Sequence, residues 1–263
     1  LPIGPCEPIN SIESFSEFEN KELFPAILKQ SKFGYDGKGQ HQVNSISEVK
    51  AVLNGSNENE FILEKKLNLD KEISVILTRS SDGVSEIFPV IENQHEAGIL
   101  DLSIIPARVS ENFKKKAVSY ALKIAKNLNY VGTIAVEFFI SDGQLYVNEI
   151  APRPHNSGHF TLDACNVSQF DLQVLSLVDK SLIEINLEKN AVMLNLLGDL
   201  WLKNGEPETP NFEEIKGPGI NIHLYGKNQP RSGRKMGHIT VVGERLEDLI
   251  NKAEGIRLKL LEM

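Results

Sequence analysis

The sequence predicts an α+β protein in two units, and three observations carry that reading. Short Ile-, Leu- and Val-rich runs alternate with stretches of helical apolar spacing. Two such runs flank Ser141-Asp142-Gly143 in the pattern of a hairpin. Beyond Ser181 the character changes to three more strand-like runs and a closing helical segment, so the units are placed at 1–182 and 183–263.

Each element has its own reason. Phe24 to Gln30 reads as a short buried strand, and Phe33 to Gln40 as a polar loop with three glycines. Ser47 is expected to cap a short helix to Leu53; Glu60 to Leu67 and Glu72 to Thr78 then read as strands. Ser80-Ser81-Asp82-Gly83 is a turn, and Glu86 to Glu92 the strand that returns from it. Glu111 to Leu128 sets Ala117, Ala121, Ile124 and Ala125 on one helical stripe, with Lys114, Lys115, Lys116, Lys123 and Lys126 on a solvated face. Val131 to Ile140 and Gln144 to Ile150 form the hairpin, followed by the loop Ala151 to His159 and helical sequence to about Asp179. Ala191 to Leu197, Ile220 to Tyr225 and His238 to Val242 are strands, and Glu244 to Met263 a helix.

Composition narrows the function. The 263 residues are 41% hydrophobic and 24% charged, enough for a sizeable core. No apolar run approaches the ~18–20 residues of a membrane span. With 28 Lys and Arg against 36 Asp and Glu, the net charge of −8 argues against nucleic acid and acidic membranes as partners. Cys6 and Cys165 lie far apart without metal-ligand spacing, which points to a soluble protein of the reducing cytoplasm. The chain starts at Leu1 without methionine, so a tag, processing or an upstream truncation comes into consideration.

Four groups of residues could carry chemistry. The glycine-rich loop between Lys29 and Gln40 could cradle phosphates on its N–H groups, although an ordinary hairpin loop would need glycines too. Glu137 and Glu149 occupy the hairpin strands, where carboxylates are costly to desolvate without a cation or hydrogen bonds. A two-residue Asp142-Gly143 turn would put them on opposite faces, whereas a three-residue loop would bring them onto one face. In that second register, with Asn148, they would suit magnesium. Arg153 and His155 make an anion clamp or a loop tied by its own hydrogen bonds; zinc on His155 and His159 is disfavoured by Pro152 and Pro154. Lys227, Arg231, Arg234 and Lys235 form a basic cluster, either a solvated loop or a phosphate site.

The stretches GYDGKGQ at 34–40, ENQHEAGIL at 92–100, NEIAPRPHNSGH at 148–159 and GRKMGH at 233–238 together resemble the ATP-grasp enzymes, in detail the N5-carboxyaminoimidazole ribonucleotide synthetases. The resemblance covers nearly the whole chain and implies an ATP-grasp fold with a small C-terminal α+β domain. It implies that Lys29 contacts phosphate, and that Gly34, Tyr35, Asp36, Gly37 and Lys38 belong to a flexible lid over ATP. Glu64 to Leu67 would meet the adenine edge, Glu72 the ribose, and Asn148 the nucleotide, with Glu137 and Glu149 as magnesium ligands. Arg153 and His155 would surround bicarbonate and aminoimidazole, and Lys227 and Arg234 would bind the 5′-phosphate of aminoimidazole ribonucleotide. The implied activity is ATP-dependent carboxylation of that ribonucleotide through carboxyphosphate, in purine biosynthesis, by a homodimer. The family's N-terminal Rossmann-like domain has no counterpart here, and Leu1 to Phe18 resembles the junction after it.

Overall fold

The computed structural model describes residues 1–9, 21–32, 39–56, 60–203 and 206–262. Backbone contacts divide the chain into two compact units, one of Leu1–Asp70, Ala97–Ile99 and Phe139–Asn148, the other of Lys71–Glu96, Leu100–Phe138 and Glu149–Met263.

The first unit is an antiparallel sheet with one helix. Its strands β1 (Cys6–Ile9), β2 (Ala26–Gln30), β3 (Gln40–Val43) and β4 (Phe61–Lys65) lie in the order β1-β4-β2-β3, and α1 (Ile46–Gly55) follows β3. Alternation along β2 and β4 sends Ala26, Leu28, Phe61 and Leu63 into a core with Val43 and with Val49 and Leu53 of α1. The helix cap is Ser45, not Ser47: its hydroxyl accepts from Glu48 N at 3.3 Å while the Glu48 carboxylate accepts from Asn44 N at 2.9 Å. A Ser three residues before a Glu satisfies two helix-end donors, which a cap at Ser47 could not do.

In the second unit β5 (Lys71–Arg79) carries the short β6 (Ser85–Ile87) and then β7 (Ile91–Glu96) along the same edge. The single return strand expected from Glu86 to Glu92 is thus broken. Pro89 lacks an N–H for the ladder, and pairing resumes only at Ile91. A further strand, β8 (Ile99–Ile105), follows; Ala97 (φ 48°) and Gly98 (φ 78°) make the tight turn into it, and an alanine there hides the turn signal. α2 (Glu111–Asn127), capped by Ser110, buries Ala117, Ala121, Ile124 and Ala125 and exposes Lys115, Lys116, Lys123 and Lys126.

β9 (Gly132–Ser141) and β10 (Gln144–Ala151) follow, then α3 (Thr161–Ala164) and α4 (Gln169–Leu177). The expected continuous helix is split because Ser168 starts a new one, its hydroxyl and Asp171 forming a capping box. The remaining elements are β11 (Asn190–Leu197), the short β12 (Leu202–Lys203) and β13 (Glu206–Pro207), β14 (Ile220–Leu224), β15 (Lys235–Gly243) and α5 (Leu246–Glu262). The sheet runs β9-β5-β7-β8-β11-β15-β14, and Ala191 of β11 pairs with Ile105 of β8. The C-terminal strands therefore continue this sheet rather than starting a separate one at 183. One sheet face packs Val192, Leu194, Ile239 and Val241 against Leu249, Ala253 and Ile256 of α5; the other packs Ile76, Ala191 and Met193 with Phe160, Ala164 and Leu172.

Glu92 ties this unit together. Its 1%-exposed carboxylate accepts from Lys71 Nζ at 2.5 Å, from the Arg108 guanidinium at 2.6 and 3.0 Å and from Arg108 N at 3.0 Å. Burial acts to raise its pKa, but the Arg108 and Lys71 hydrogen bonds outweigh it and hold the carboxyl below the usual range. Lys71 and Arg108 keep 36% and 41% of their side chains exposed and stay solvated without Glu92, so Glu92→Gln should lower unfolding stability by about 1–2 kcal/mol in urea titrations through the lost charge-assisted hydrogen bonds; no measurable loss would contradict this role.

Candidate functional site

In the first unit, Lys29 on β2 and Glu64 on β4 stand two register steps apart on adjacent strands, and their side chains meet at 2.6 Å. Each is partly exposed, so a phosphate or an adenine edge could replace one partner at low cost. Leu67 is half-buried just beyond β4, and Asn148 is half-buried on β10. Gly34, Tyr35, Asp36, Gly37 and Lys38 lie outside the described residues.

In the second unit the structure brings together Glu72, Glu137 and His155 with His95, a residue with no assigned role, and with Lys235 of the basic cluster. Glu72 Oε2 lies 2.8 Å from His95 Nδ1. Burial opposes protonation of His95, but the Glu72 hydrogen bond and charge, with Glu137 behind them, push its pKa up. Glu137 sits on β9 with 13% of its side chain exposed. Burial first, then Glu149 and Glu72, raise its carboxyl to about 7 against the pull of His95 and Lys235. His155 Nε2 is 3.7 Å from Glu137 Oε1. That contact is not an ion pair, because burial and then Arg153, Lys235, His159 and His95 push His155 down to about 3 and leave the ring neutral.

The hairpin loop is the two-residue form: β9 ends at Ser141, β10 begins at Gln144, and Asp142 (φ 50°) and Gly143 (φ 70°) are both left-handed. This is the turn whose alternation separates Glu137 and Glu149 onto opposite faces. Glu137 is nearly buried and Glu149 exposed, yet Glu149's charge still bears on Glu137.

His155 is held from both sides. Its Nδ1 lies 2.9 Å from Ser157 Oγ, which continues through Ser74, Asn93 and Ser103 in a buried chain of hydrogen bonds. Gln169 accepts from His155 N and donates to His155 O, both at 2.8 Å, and also lies 3.1 Å from His159 Nδ1. His155 and His159 are thus anchored separately by the protein, which does not favour a shared zinc. Gly158 is squeezed here: a Cβ would come within 2.3 Å of Ile76 Cδ1 and 2.6 Å of Gln169 Oε1.

The basic loop is pinned by Gly198 N donating to Arg234 O and by Gly233 N donating to Asp199 Oδ2, both at 2.7 Å. Within it, Lys227 Nζ donates to Lys235 O and Arg234 to Gln229 O, each at 2.5 Å and exposed. The cation of this loop that bears on Glu137, His95 and His155 is Lys235. Its signal was present in GRKMGH, as that of His95 was in ENQHEAGIL.

Comparison with known proteins agrees with this layout. The ATP-grasp domain family matches residues 1–170, and the phosphoribosylaminoimidazole carboxylase C-terminal domain matches residues 191–252. N5-carboxyaminoimidazole ribonucleotide synthase of Staphylococcus aureus (strain COL) is 42% identical over 239 residues, 88% of this chain and 62% of the relative. The chain therefore spans about 62% of the length of that relative. An ADP complex of an N5-carboxyaminoimidazole ribonucleotide synthetase superposes with a TM-score of 0.87 at 39% identity, over 100% of this chain and 68% of its own. The Aspergillus clavatus synthase in complex with ADP and 5-aminoimidazole ribonucleotide gives 0.85 at 26% identity, over 98% and 69%.

The raised Glu137 carboxyl makes stability depend on pH. The folded protein holds this proton more tightly than the unfolded chain, so the stabilisation is complete below pH 4.5 and is lost as pH rises through about 7. At pH 8 ionised Glu137 costs on the order of 3 kcal/mol. Relative to the wild type, Glu137→Gln should gain about 2 kcal/mol or more in urea stability between pH 5 and pH 8; a difference flat across that window would show that the carboxyl titrates normally.

Proposed function

The chain belongs to the ATP-grasp family, in its N5-carboxyaminoimidazole ribonucleotide synthetase branch, and we propose that it carboxylates 5-aminoimidazole ribonucleotide with bicarbonate at the expense of ATP. The observation that carries this reading is Glu137: a near-buried carboxyl raised to about 7 beside Glu72, Glu149 and a neutral histidine is short of positive charge. A hard divalent cation fits oxygen donors of this kind, so Glu137 is the residue we assign to hold magnesium; the two-residue turn does not give the one-face register expected for the pair, but the charge of exposed Glu149 still bears on Glu137, and Glu149 is the second carboxylate we assign to the ion, with Asn148 next in sequence. When bound, the ion would neutralise charge on the ATP phosphates.

The chain's own residues supply the rest. Lys29 contacts phosphate, Glu64 and Leu67 the adenine, and Glu72 with His95 the ribose hydroxyls. A bicarbonate oxygen attacks the γ-phosphorus, ADP leaves, and the amine of the ribonucleotide then attacks the carboxyl carbon of carboxyphosphate, the C–O bond to phosphate breaking and the departing phosphate taking the amine proton. Arg153 offers the anion a bidentate charge. His155, with a pKa near 3, is too weak a base to take the amine proton at neutral pH. It orients bicarbonate by hydrogen bonding, with Nδ1 fixed on Ser157. Lys227 and Arg234 receive the 5′-phosphate, and Lys235 adds positive charge where negative charge develops on the transferred phosphate. A cytoplasmic, homodimeric protein completes the proposal. The free cysteines Cys6 and Cys165 fit a reducing compartment, and among the described residues no helix is long and apolar enough to cross a membrane.

Phosphate release from ATP that requires both bicarbonate and aminoimidazole ribonucleotide would support this function. Release driven by formate and another ribonucleotide would replace it with a different ligase, and nucleotide binding without release would reduce the chain to a binding module. Glu137→Gln and Glu149→Gln should each weaken magnesium-dependent ATP binding about tenfold or more, as loss of a metal ligand does; unchanged affinity in both would remove the metal assignment. Arg234→Ala should raise KM for aminoimidazole ribonucleotide about tenfold, one charge-assisted hydrogen bond, with KM for ATP nearly constant. A parallel rise in both would mean that Arg234 only braces its loop through Gln229.

A further inference from the structure

A second cluster of ligating side chains lies on the β14-β15 face, and the reaction above uses none of it. His223 stands directly opposite His238 across the antiparallel pair, so both rings project from one face and stack with centroids 4.5 Å apart and planes 12° apart. Asp163, on the short helix α3, reaches the same point, its carboxylate oxygens 2.9 and 3.1 Å from His223 Nε2. One ligating atom from each of Asp163, His223 and His238 lies within 4.8 Å of the other two.

This face is also short of hydrogen bonds. His238 is 1% exposed; its Nδ1 meets the Tyr225 hydroxyl at 2.9 Å, and its Nε2 has no partner. Asn195, opposite His238 on β11, leaves Oδ1 without a partner, and Thr240, two residues along β15, leaves Oγ1 so. Buried polar atoms are almost always satisfied, so three unpartnered atoms on one strip of sheet set this face apart.

We propose that Asp163, His223 and His238 form a site for a divalent transition metal of the zinc type. Two imidazole nitrogens and one carboxylate are a donor set such ions take, with a fourth position open to water. If Nδ1 of His238 donates to Tyr225, Nε2 keeps the lone pair a metal needs, and the hydroxyl fixes that tautomer. Burial, followed by His159 and His223, pushes His238 down to about 3, so at neutral pH the ring needs no proton removed before it ligates. Lys235 and Arg153 bear on neighbouring His159, but the charges bearing on His238 are those of the other histidines, and Asp163 supplies the opposing negative charge. The proposal stands independently of the carboxylation reaction.

The test is titration of the tag-free, chelator-stripped chain with Co²⁺, followed by competition with Zn²⁺. The expected result is one equivalent of Co²⁺ with the visible absorption of a tetrahedral ion, displaced by Zn²⁺, which also raises the thermal unfolding midpoint. His223→Gln, at a half-exposed position, and Asp163→Asn should each weaken binding about tenfold or more while circular dichroism stays unchanged. His41→Gln, at an exposed position on β3, should leave it intact. Absence of the cobalt band at equimolar metal, or its retention in either the His223 or the Asp163 variant, would overturn the site and leave the strip to buried water. If His223→Gln does not fold, Asp163→Asn decides alone.

Discussion

The cost of burying the Glu137 carboxylate is the constraint around which the second unit's polar residues are arranged. A lone charge in a sheet interior is expensive, and the protein can meet that expense by protonation, by a counter-ion or by hydrogen bonds. Here the group is left partly uncompensated, with its pKa raised to about 7. His95 is drawn toward its charged form between Glu72 and Glu137, whereas His155, facing the same carboxylate at 3.7 Å, is driven to the neutral form by burial and by Arg153 and Lys235. Two histidines a short distance apart are thus set to opposite charge states by their surroundings, one shared between carboxylates and the other an uncharged hydrogen-bonding group.

The support for these groups is deeper than the groups themselves. His155 depends on Gln169 through two backbone hydrogen bonds and on Ser157, and Ser157 leads through Ser74 to Asn93 on the next strand. Glu92, beside Asn93, is fully ion-paired with Lys71 and Arg108. The same sheet therefore carries one carboxylate that is completely satisfied and one that is not, on the two strands that flank β5. The contrast separates structural from functional burial of charge.

Much of this was legible in the sequence. Strands β2, β4, β5, β9, β11, β14 and β15 and helices α2 and α5 follow from periodicity, because each buries one face or stripe. What escaped was local backbone chemistry: a turn hidden under Ala97, a strand interrupted at Pro89, a helix begun at Ser45, and a helix divided before Ser168. Among the site residues, Glu72, Glu137 and His155 could be chosen from motif and residue type, and the structure gathers them. His95 could not be given a role, nor Lys235 be set apart from the rest of its basic cluster, since what brings them to Glu137 is strand order, and strand order is not written in the spacing of residues along the chain. The stacked pair His223 and His238 is of the same kind, fifteen positions apart in sequence and directly opposed in register.

The most direct measurement is the titration of the Glu137 carboxyl itself, by carbon-13 NMR of glutamate-labelled protein with Glu137→Gln to assign the resonance. The midpoint should lie near 7 in the free protein and fall toward the ordinary carboxylate range when magnesium and nucleotide are added. A midpoint near 4.5 in the free protein, or one that magnesium and nucleotide leave unmoved, would contradict this.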